Sequence, residues 1–245
     1  MAMPDMARSD MARPVYGRNI VVIIPVLNEE DSIGLVLAHI PEGMAAAVIV
    51  VDNGSTDRTA AVAAEGGAVV VSEPRRGYGA ACLRGMAEAA RFAPDVIVFL
   101  DGDYSDYPEE MTDLVRPIVE EGCDLVIGSR MLGRRAPGSM PVQAVIGNVL
   151  VPRIIRWLYG HRYTDLGPFR AIRYDRLLEL DMADQNFGWT VEMQIKAAQK
   201  GYRTLDVPVQ YRKRVGVSKI TGTLSGAVRA GVKILWVTFR YAFGK

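Results

Sequence analysis

The chain has 245 residues, of which 49% are hydrophobic and 23% are charged. This is the composition of a globular protein, and it excludes a disordered tail, a collagen-like fibre and a highly charged solvating segment. A chain of this length buries about 70% of the surface that its unfolded form exposes, so it needs no disulfide or metal ion to fold. The presence of two cysteines, Cys82 and Cys123, favours a reducing cytoplasm.

The net charge of +1 conceals an uneven distribution along the chain. Residues 207–245 contain eight basic residues and no acidic residue, so residues 1–206 carry 21 basic and 28 acidic residues. A second acid-free stretch, residues 130–164, contains six arginines. This separation favours an anionic partner for the later part of the chain, such as a nucleic acid, phospholipid head groups or a phosphorylated substrate. A solvated basic face would give the same pattern.

The first half of the chain predicts alternating strands and helices. Short runs rich in valine and isoleucine predict buried strands at residues 21–24, 48–51, 68–71, 96–100 and 125–127. Apolar residues at helical spacing, bounded by glycine or proline, predict helices at residues 33–40, 55–65, 77–91 and 108–121. The alternation indicates an α/β fold with a mostly parallel sheet that helices cover on both faces.

The two ends and the second half of the chain are less regular. Residues 1–18 have no apolar core, so we expect a loose tail and not a secretory signal, and no predominantly apolar run approaches the ~18 residues of a membrane span. Helical patterns cover residues 142–159 and 187–200, and residues 203–211 predict one or two strands interrupted by Pro208. Residues 224–243 predict a last helix with an apolar stripe and basic neighbours.

Polar side chains follow several predicted strands, at the edge where parallel sheets bind ligands. These are Asn28 and Glu29, Asp52, Asp101 and Asp103, and Ser129 and Arg130. Asp101 and Asp103 would point the same way in extended backbone, and their carboxylates are ligands that Mg²⁺ and Mn²⁺ prefer. Asp52 either accepts hydrogen bonds from a base or ribose or closes an Asx-turn with the residues that follow it.

Several enzyme signatures are absent from the sequence. There is no G-x-x-x-x-G-K-[ST] segment and no G-x-G-x-x-G after the first strand, which argues against a P-loop NTPase and a dinucleotide dehydrogenase. No Cys–His or G-x-S-x-G signature occurs. His39 and His161 lie in settings where a histidine is more often structural, so neither is assigned a role.

Four motifs in order resemble family 2 glycosyltransferases of the GT-A fold: VIIPVLNEE (22–30), VVDNGSTD (50–57), DGD (101–103) and GSR (128–130). Three later segments resemble the polyprenol-phosphate (dolichol-phosphate) mannosyl- and glucosyltransferase branch: DLGPFR (165–170), WTVEM (189–193) and GVSK (216–219). The resemblance covers about residues 19–225. It implies a Rossmann-like GT-A domain at residues 19–222, followed by a basic amphipathic helix at residues 223–245.

The resemblance implies inverting transfer of a hexose, glucose or mannose, from a UDP- or GDP-sugar. Residues expected to bind the nucleotide sugar are Pro25, Leu27, Asn28, Glu29, Asp52, Asn53, Gly79, Asp101 and Gly102. Asp101 and Asp103 would hold Mg²⁺ or Mn²⁺ on the diphosphate. Catalytic roles are expected of Asp103, Arg130, Arg170 and Glu192. Glu192 is either a base or a helix residue that orders neighbouring arginines.

A polyprenyl phosphate is the implied acceptor. Its phosphate is expected to contact Arg130, Arg170, Arg212, Arg214, Ser218 and Lys219, with Lys213 as an alternative to either neighbour. The second pKa of a phosphate monoester is about 6, so the attacking oxygen is already ionised at pH 7 and no strong base is required. The sequence departs from relatives of the mannosyl branch at Ser105, where they often carry glutamine, and at residues 166–170, where they often read Ser-Gly-Phe-Arg.

An insoluble polyprenyl tail requires a membrane surface. We therefore expect peripheral attachment to the cytoplasmic face of the cell membrane through the basic helices at residues 149–159 and 223–245. The alternative is that the last helix packs on the sheet or on a second copy of the chain. Competing functions are a family 2 transferase with a polysaccharide or metabolite as soluble acceptor, a surface-binding module without catalysis, and a nucleotidyltransferase. No nucleic acid partner is expected.

Overall fold

Seven strands form one mostly parallel sheet in the computed structural model, which describes residues 15–216 and 224–243. The strands are β1 (Ile20–Val26), β2 (Ala47–Asp52), β3 (Val69–Ser72), β4 (Val96–Phe99), β5 (Leu125–Ser129), β6 (Arg170–Arg173) and β7 (Thr204–Pro208). Their order is β3-β2-β1-β4-β6-β5-β7, and β6 runs antiparallel to both β4 and β5 while the other pairs are parallel. The predicted α/β class is confirmed.

Helices cover both faces of the sheet. They are α1 (Ile33–Ala38), α2 (Thr59–Glu65), α3 (Tyr78–Ala89), α4 (Met111–Glu121), α5 (Val142–Tyr159), α6 (Tyr174–Glu179), α7 (Trp189–Gln199) and α8 (Leu224–Phe243). Short 3₁₀ turns lie at Val15–Gly17, Ala90–Phe92 and Pro108–Glu110. Of the helices that the structure describes, none combines the length and the apolar character that crossing a membrane would take.

The apolar run of β1 explains why the sheet is covered on both sides. All seven residues of the strand are buried. Val21 and Ile23 pack into one core with residues of α3, α5 and α7, and Ile20, Val22 and Ile24 pack into the other with residues of α1 and α4. Successive side chains of a strand point to opposite faces, so a strand with two covered faces needs apolar residues at every position.

Some elements differ from the predicted ones. β6 and α6 were not predicted, and residues 203–211 contain one strand, β7, which Pro208 ends. The predicted helix at residues 108–121 begins as a 3₁₀ turn before α4. Residues 1–14 of the predicted tail lie outside the described residues, so the boundary at residue 19 stays a prediction.

The last helix, α8, packs on α5 and α7. Its residues Val237 and Thr238 are buried. The Tyr159 hydroxyl donates a hydrogen bond of 2.8 Å to the carbonyl of Thr238, and the Tyr241 hydroxyl donates one of 2.6 Å to Glu192. One side of α8 is therefore packed on two helices of the domain, α5 and α7.

A close approach between α3 and the sheet requires Gly85. A Cβ at this position would lie 2.4 Å from Cγ2 of Ile23 and 3.1 Å from Cγ2 of Val51. We predict that Gly85→Ala lowers the free energy of unfolding by roughly 1–3 kcal/mol, because the added methyl overpacks the core. Gly147→Ala in α5 is the matched control: its Cβ would meet no atom within 4 Å, and alanine favours a helix by about 0.5–1 kcal/mol. Urea denaturation measures both changes, and an equal effect of the two would contradict this packing.

Candidate active site

A cleft of about 300 Å³ opens at the carboxyl ends of the neighbouring strands β2, β1 and β4. It is lined by Pro25, Val26, Leu27, Glu29, Asn53, Arg76, Gly77, Tyr78, Ala81, Asp101, Gly102, Asp103, Asn186, Phe187 and Arg214. The cleft thus brings together most of the residues that the sequence predicted for nucleotide-sugar binding. Asn28, Asp52 and Gly79 are not among its lining residues.

The turns after β1 and β2 hold each other in place. Asn28 has a positive φ of 53°, its N–H donates to Oγ of Ser55 at 2.9 Å, and its Oδ1 accepts the N–H of Thr56 at 2.8 Å. Oδ1 of Asp52 accepts the N–H of Ser55 at 2.9 Å, which is the Asx-turn alternative for this residue. Asn28 and Asp52 therefore shape the cleft wall, and their contact with a nucleoside stays a prediction.

The glycine-rich turn before α3 is fixed by Asn53. Its side-chain amide donates to the carbonyls of Glu73 at 2.9 Å and Arg75 at 2.7 Å, and its Oδ1 accepts the N–H of Gly77 at 2.8 Å. A Cβ on Gly79 would lie 2.0 Å from the carbonyl oxygen of Asp184. Gly79 therefore acts by letting α3 approach the loop before α7.

Asp101 and Asp103 form the acidic floor of the cleft. Oδ1 of Asp103 accepts hydrogen bonds from both the N–H and the hydroxyl of Ser105, and its Oδ2 lies 3.1 Å from Nη1 of Arg214. Oδ1 of Asp101 is buried and has no hydrogen-bond partner among the described residues. A Cβ on Gly102 would lie 2.5 Å from Cγ1 of Val26, so glycine lets the two carboxylates sit directly beside β1.

The environment of Asp101 resists negative charge. Burial, and then the charge of Asp103, raise the pKa of Asp101 from 3.8 to about 7. A divalent cation would offset both the burial of Asp101 and its repulsion by Asp103. The two carboxylates therefore fit a cation, as does the Asp101 Oδ1 atom that lacks a hydrogen-bond partner among the described residues. No group of three or more His, Cys, Asp or Glu side chains suited to a metal occurs among residues 15–216 and 224–243. The remaining ligands would come from a diphosphate, as is common for Mg²⁺.

Arg130 and Arg170 do not line the cleft. The Arg130 guanidinium pairs with the buried carboxylate of Asp165 at 2.6 and 2.9 Å, and this partner raises the pKa of Arg130 although burial alone would lower it. The fully buried Arg170 donates to the carbonyls of Leu166 and Thr190 at 3.3 and 2.9 Å. Both arginines hold the loop at residues 165–170 in this structure, instead of presenting the guanidinium to a phosphate as expected.

Glu192 is also turned away from the cleft. Its fully buried carboxylate accepts the N–H groups of Ala183 at 3.0 Å and Asp184 at 2.7 Å, and it contacts Lys196 at 2.8 Å besides the Tyr241 hydroxyl. This arrangement fits an ordering role and leaves the role of a base without structural support. What Glu192 orders is a loop and α8, and not the arginines that the sequence suggested.

The three candidate phosphate ligands in the basic segment after β7, Arg212, Lys213 and Arg214, lie in different surroundings. The Arg212 guanidinium is stacked on the ring of Tyr104, with 3.6 Å to the ring centroid. Lys213 lies near Gly138, and Arg214 lines the cleft. Arg214 is therefore the best-placed candidate of the three. Ser218 and Lys219 lie outside the described residues.

Seven lining residues were not predicted, and four of them have polar or aromatic side chains: Arg76, Tyr78, Asn186 and Phe187. The first two flank Gly77 in the turn before α3, where the sequence analysis had expected only Gly79 to bind the nucleotide sugar. Burial and the charge of Asp101 raise the pKa of the Tyr78 hydroxyl, so it remains a hydrogen-bond donor. Asn186 and Phe187 come from a loop that lies far from β4 in sequence, and no local pattern marks them.

The raised pKa of Asp101 makes metal binding depend on pH. Only the ionised carboxylate binds a cation, so we predict that affinity for Mn²⁺ falls as pH drops below about 7, by up to about tenfold per pH unit. Without metal, the contribution of Asp101 to stability falls as pH rises from about 4 to about 7, because the folded state holds this proton more tightly than the unfolded chain.

Calorimetric titration with Mn²⁺ between pH 5.5 and 8 measures this dependence. Asp101→Asn should bind Mn²⁺ weakly and lose the pH dependence. Asp113→Asn, on the exposed side of α4, should keep the wild-type Mn²⁺ affinity and its pH dependence. A wild-type affinity that does not change with pH would contradict the role of Asp101.

Similar proteins include glycosyltransferases from bacteria and archaea. An uncharacterized glycosyltransferase of Mycobacterium tuberculosis is 38% identical over 216 residues, covering 87% of this chain and 95% of the relative. A dolichyl-phosphate hexose transferase of Haloferax volcanii is 34% identical over 214 residues, covering 85% of this chain and 90% of the relative. The second relative agrees with the predicted resemblance to the polyprenol-phosphate branch.

The fold is similar to that of glucosyl-3-phosphoglycerate synthase from Mycobacterium tuberculosis. Its complex with phosphoglyceric acid has a TM-score of 0.74 and 25% identity, covering 98% of this chain and 86% of the synthase. Its complex with Mn²⁺, UDP and glucosyl-3-phosphoglycerate has a TM-score of 0.74 and 24% identity, covering 99% and 86%. This likeness confirms the predicted GT-A fold.

The family profile described as glycosyl transferase family 2 matches residues 21–180, which include β1 to β6 and the acidic floor of the cleft. The match spans more than half of the chain, and the Mycobacterium tuberculosis relative extends the likeness over nearly all of it. The chain is an enzyme and belongs to glycosyl transferase family 2.

Proposed function

We propose that the enzyme transfers a hexose from a UDP- or GDP-sugar to a polyprenyl phosphate at a membrane surface, with inversion and with Mg²⁺ or Mn²⁺. The observation that carries this proposal is the cleft in which Asp101 and Asp103 face Arg214 at the carboxyl edge of the sheet. The carboxylates suit a cation on the donor diphosphate, and the guanidinium suits a phosphate.

The donor half of the proposal rests on charge. The bond between the anomeric carbon and the diphosphate breaks with a gain of negative charge on the leaving diphosphate, and a bound cation would neutralise it. Asp101 and Asp103 would hold that cation, while Arg76 and Asn53 lie on the wall where the nucleoside half would fit. The Mn²⁺ and UDP complex of the similar synthase is consistent with such a donor.

The acceptor half rests on how the carboxylates of the cleft are used: Asp101 and Asp103 would hold the cation, and Glu29 pairs with Arg214. Glu192 is buried in hydrogen bonds, and neither His39 nor His161 lines the cleft. A phosphate acceptor is ionised at neutral pH and attacks the anomeric carbon without giving up a proton. The dolichyl-phosphate acceptor named for the Haloferax volcanii relative has this chemistry.

The helices α5 and α8 offer a surface for a lipid. Exposed apolar residues lie at helical spacing on α5 and on α8: Val142, Ile146, Leu150 and Trp157, and Val232, Trp236 and Phe239. Arg153, Arg156 and Arg240 are exposed on the same helices. Neither helix contains an acidic residue. Such a surface favours the head groups and acyl boundary of an anionic leaflet, which supports peripheral attachment on the cytoplasmic face.

A soluble acceptor is the second candidate. The similarity to glucosyl-3-phosphoglycerate synthase favours it, since the complexes of that enzyme hold small phosphorylated acids. A phosphoglycerate would offer the cleft an anion as well, but its attacking group would be a hydroxyl, which needs a base. The two candidates therefore predict different products from the same donor.

The distribution of labelled sugar decides between these acceptors. We predict that UDP-glucose or GDP-mannose carrying a labelled sugar, incubated with Mn²⁺ and polyprenyl phosphate in vesicles, yields label that partitions into organic solvent. Asp103→Ala should lower this yield about 100-fold or more, because the charge of the leaving diphosphate is no longer balanced. Asp113→Ala should retain the wild-type rate. A parallel incubation supplies 3-phosphoglycerate as the acceptor. If label appears only in the water-soluble product of that incubation, the soluble acceptor replaces the lipid acceptor in the proposal.

Vesicle binding tests the surface on α5. Trp157 is 77% exposed, and we predict that Trp157→Glu weakens binding to anionic vesicles roughly tenfold, because it places an acid among the apolar and basic side chains. Leu178→Glu on α6, where leucine is 55% exposed, should leave binding unchanged. Co-sedimentation measures both. Undiminished binding of Trp157→Glu, together with a change of molecular mass in solution, would assign this surface to a second copy of the chain.

A further inference from the structure

Arg214 bridges two carboxylates of the cleft, those of Glu29 and Asp103. Its Nη2 lies 2.7 Å from Oε1 of Glu29, at the end of β1, and its Nη1 lies 3.1 Å from Oδ2 of Asp103, beyond β4. The Arg214 side chain is 25% exposed and the Asp103 side chain 10%. The guanidinium therefore neutralises the carboxylate that a divalent cation would bind.

The backbone around Arg214 is held without help from its guanidinium. The N–H of Arg212 donates to the carbonyl of Ser105 at 2.9 Å, and the N–H of Val215 donates to the carbonyl of Asp103 at 3.0 Å. The Arg212 guanidinium is stacked on two tyrosine rings, those of Tyr104 and Tyr107, with 3.6 and 3.8 Å to their centroids. The Arg214 side chain can therefore leave Asp103 while its segment stays beside the cleft.

We propose that Arg214 is an internal competitor for the divalent cation. Two cations within contact distance of one Asp103 oxygen repel each other, so binding of the metal ion exchanges one positive charge for another. The displaced guanidinium loses an anionic partner, and a nucleoside diphosphate in the cleft supplies a new one. The metal ion alone therefore binds weakly, and it binds more tightly once the diphosphate is present.

This exchange rests on the proposed function in one respect, that the ligand at Asp103 is a divalent cation. It requires neither a particular sugar nor a particular acceptor. It makes Arg214 a residue that links the metal site to the phosphates, and it distinguishes Arg214 from Lys213, which has the same charge but lies near Gly138. Lys213 therefore provides a control for the general effect of removing one positive charge from this segment.

Mn²⁺ binding without any sugar tests the exchange. Free Mn²⁺ is followed by electron paramagnetic resonance while wild type, Arg214→Met, Arg214→Lys and Lys213→Ala are titrated, first alone and then with saturating UDP. Arg214→Met should bind Mn²⁺ alone about tenfold more tightly than wild type, since the competing charge is gone. Arg214→Lys should stay near wild type, and Lys213→Ala should change affinity by less than about twofold. UDP should raise the Mn²⁺ affinity of Arg214→Met less than that of wild type.

Two results would overturn the exchange: equal or weaker Mn²⁺ binding by Arg214→Met, or an equal gain in Lys213→Ala. Thermal unfolding gives an independent reading, because Mn²⁺ should raise the Tm of Arg214→Met more than that of wild type. If no variant and no wild-type protein binds Mn²⁺, both the exchange and the metal-dependent function fail. If the binding results hold but no lipid product forms, the acceptor assignment alone fails.

Discussion

The structure depends on how negative charge is balanced at the carboxyl end of β4. Asp101 and Asp103 lie at the floor of a cleft, where burial and mutual repulsion raise the pKa of Asp101 to about 7. Ser105 fixes one oxygen of Asp103 through two hydrogen bonds, and Arg214 neutralises the other. Ser105, which stands where relatives of the mannosyl branch often carry glutamine, thus orients the Asp103 carboxylate. Acids gathered in this way must either keep a proton or have a positive partner, and this suits the site to a cation bound with a diphosphate.

The arginines that the sequence offered as phosphate ligands divide into two groups by their surroundings. Arg130 and Arg170 are buried against Asp165 and against backbone carbonyls, so their charge is used to close the loop between α5 and β6. Arg214 contacts carboxylates that face the cleft, and it remains available to a ligand. A count of basic residues cannot make this distinction, because it depends on whether an acid or a carbonyl lies within reach in three dimensions. Within the acid-free stretch at residues 130–164 such a buried pairing applies to Arg130 alone, since the other five arginines are exposed.

Local patterns predicted the parallel part of the sheet and missed what depends on long-range pairing. Strands β1 to β5 have short apolar runs, since both of their faces are covered. β6 begins with Arg170 and has no such run, yet it lies between β4 and β5 and runs antiparallel to both. The acidic floor could be predicted because Asp101 and Asp103 directly follow a strong strand. Asn186 and Phe187 could not, because only the packing of the loop before α7 on Gly79 brings them to the cleft.

The same loop connects the cleft to the last helix. Lys233 of α8 lies 2.8 Å from Oδ2 of Asp184, and the Tyr241 hydroxyl donates to Glu192, which in turn accepts the N–H groups at the start of the loop. Loss of α8 would leave two buried carboxylates without these partners, and it would release a loop that lines the cleft. A chain truncated before α8 would therefore lose donor binding and vesicle binding together. Single changes at exposed apolar positions leave the buried contacts intact, so they can separate the lipid surface from the wall of the active site.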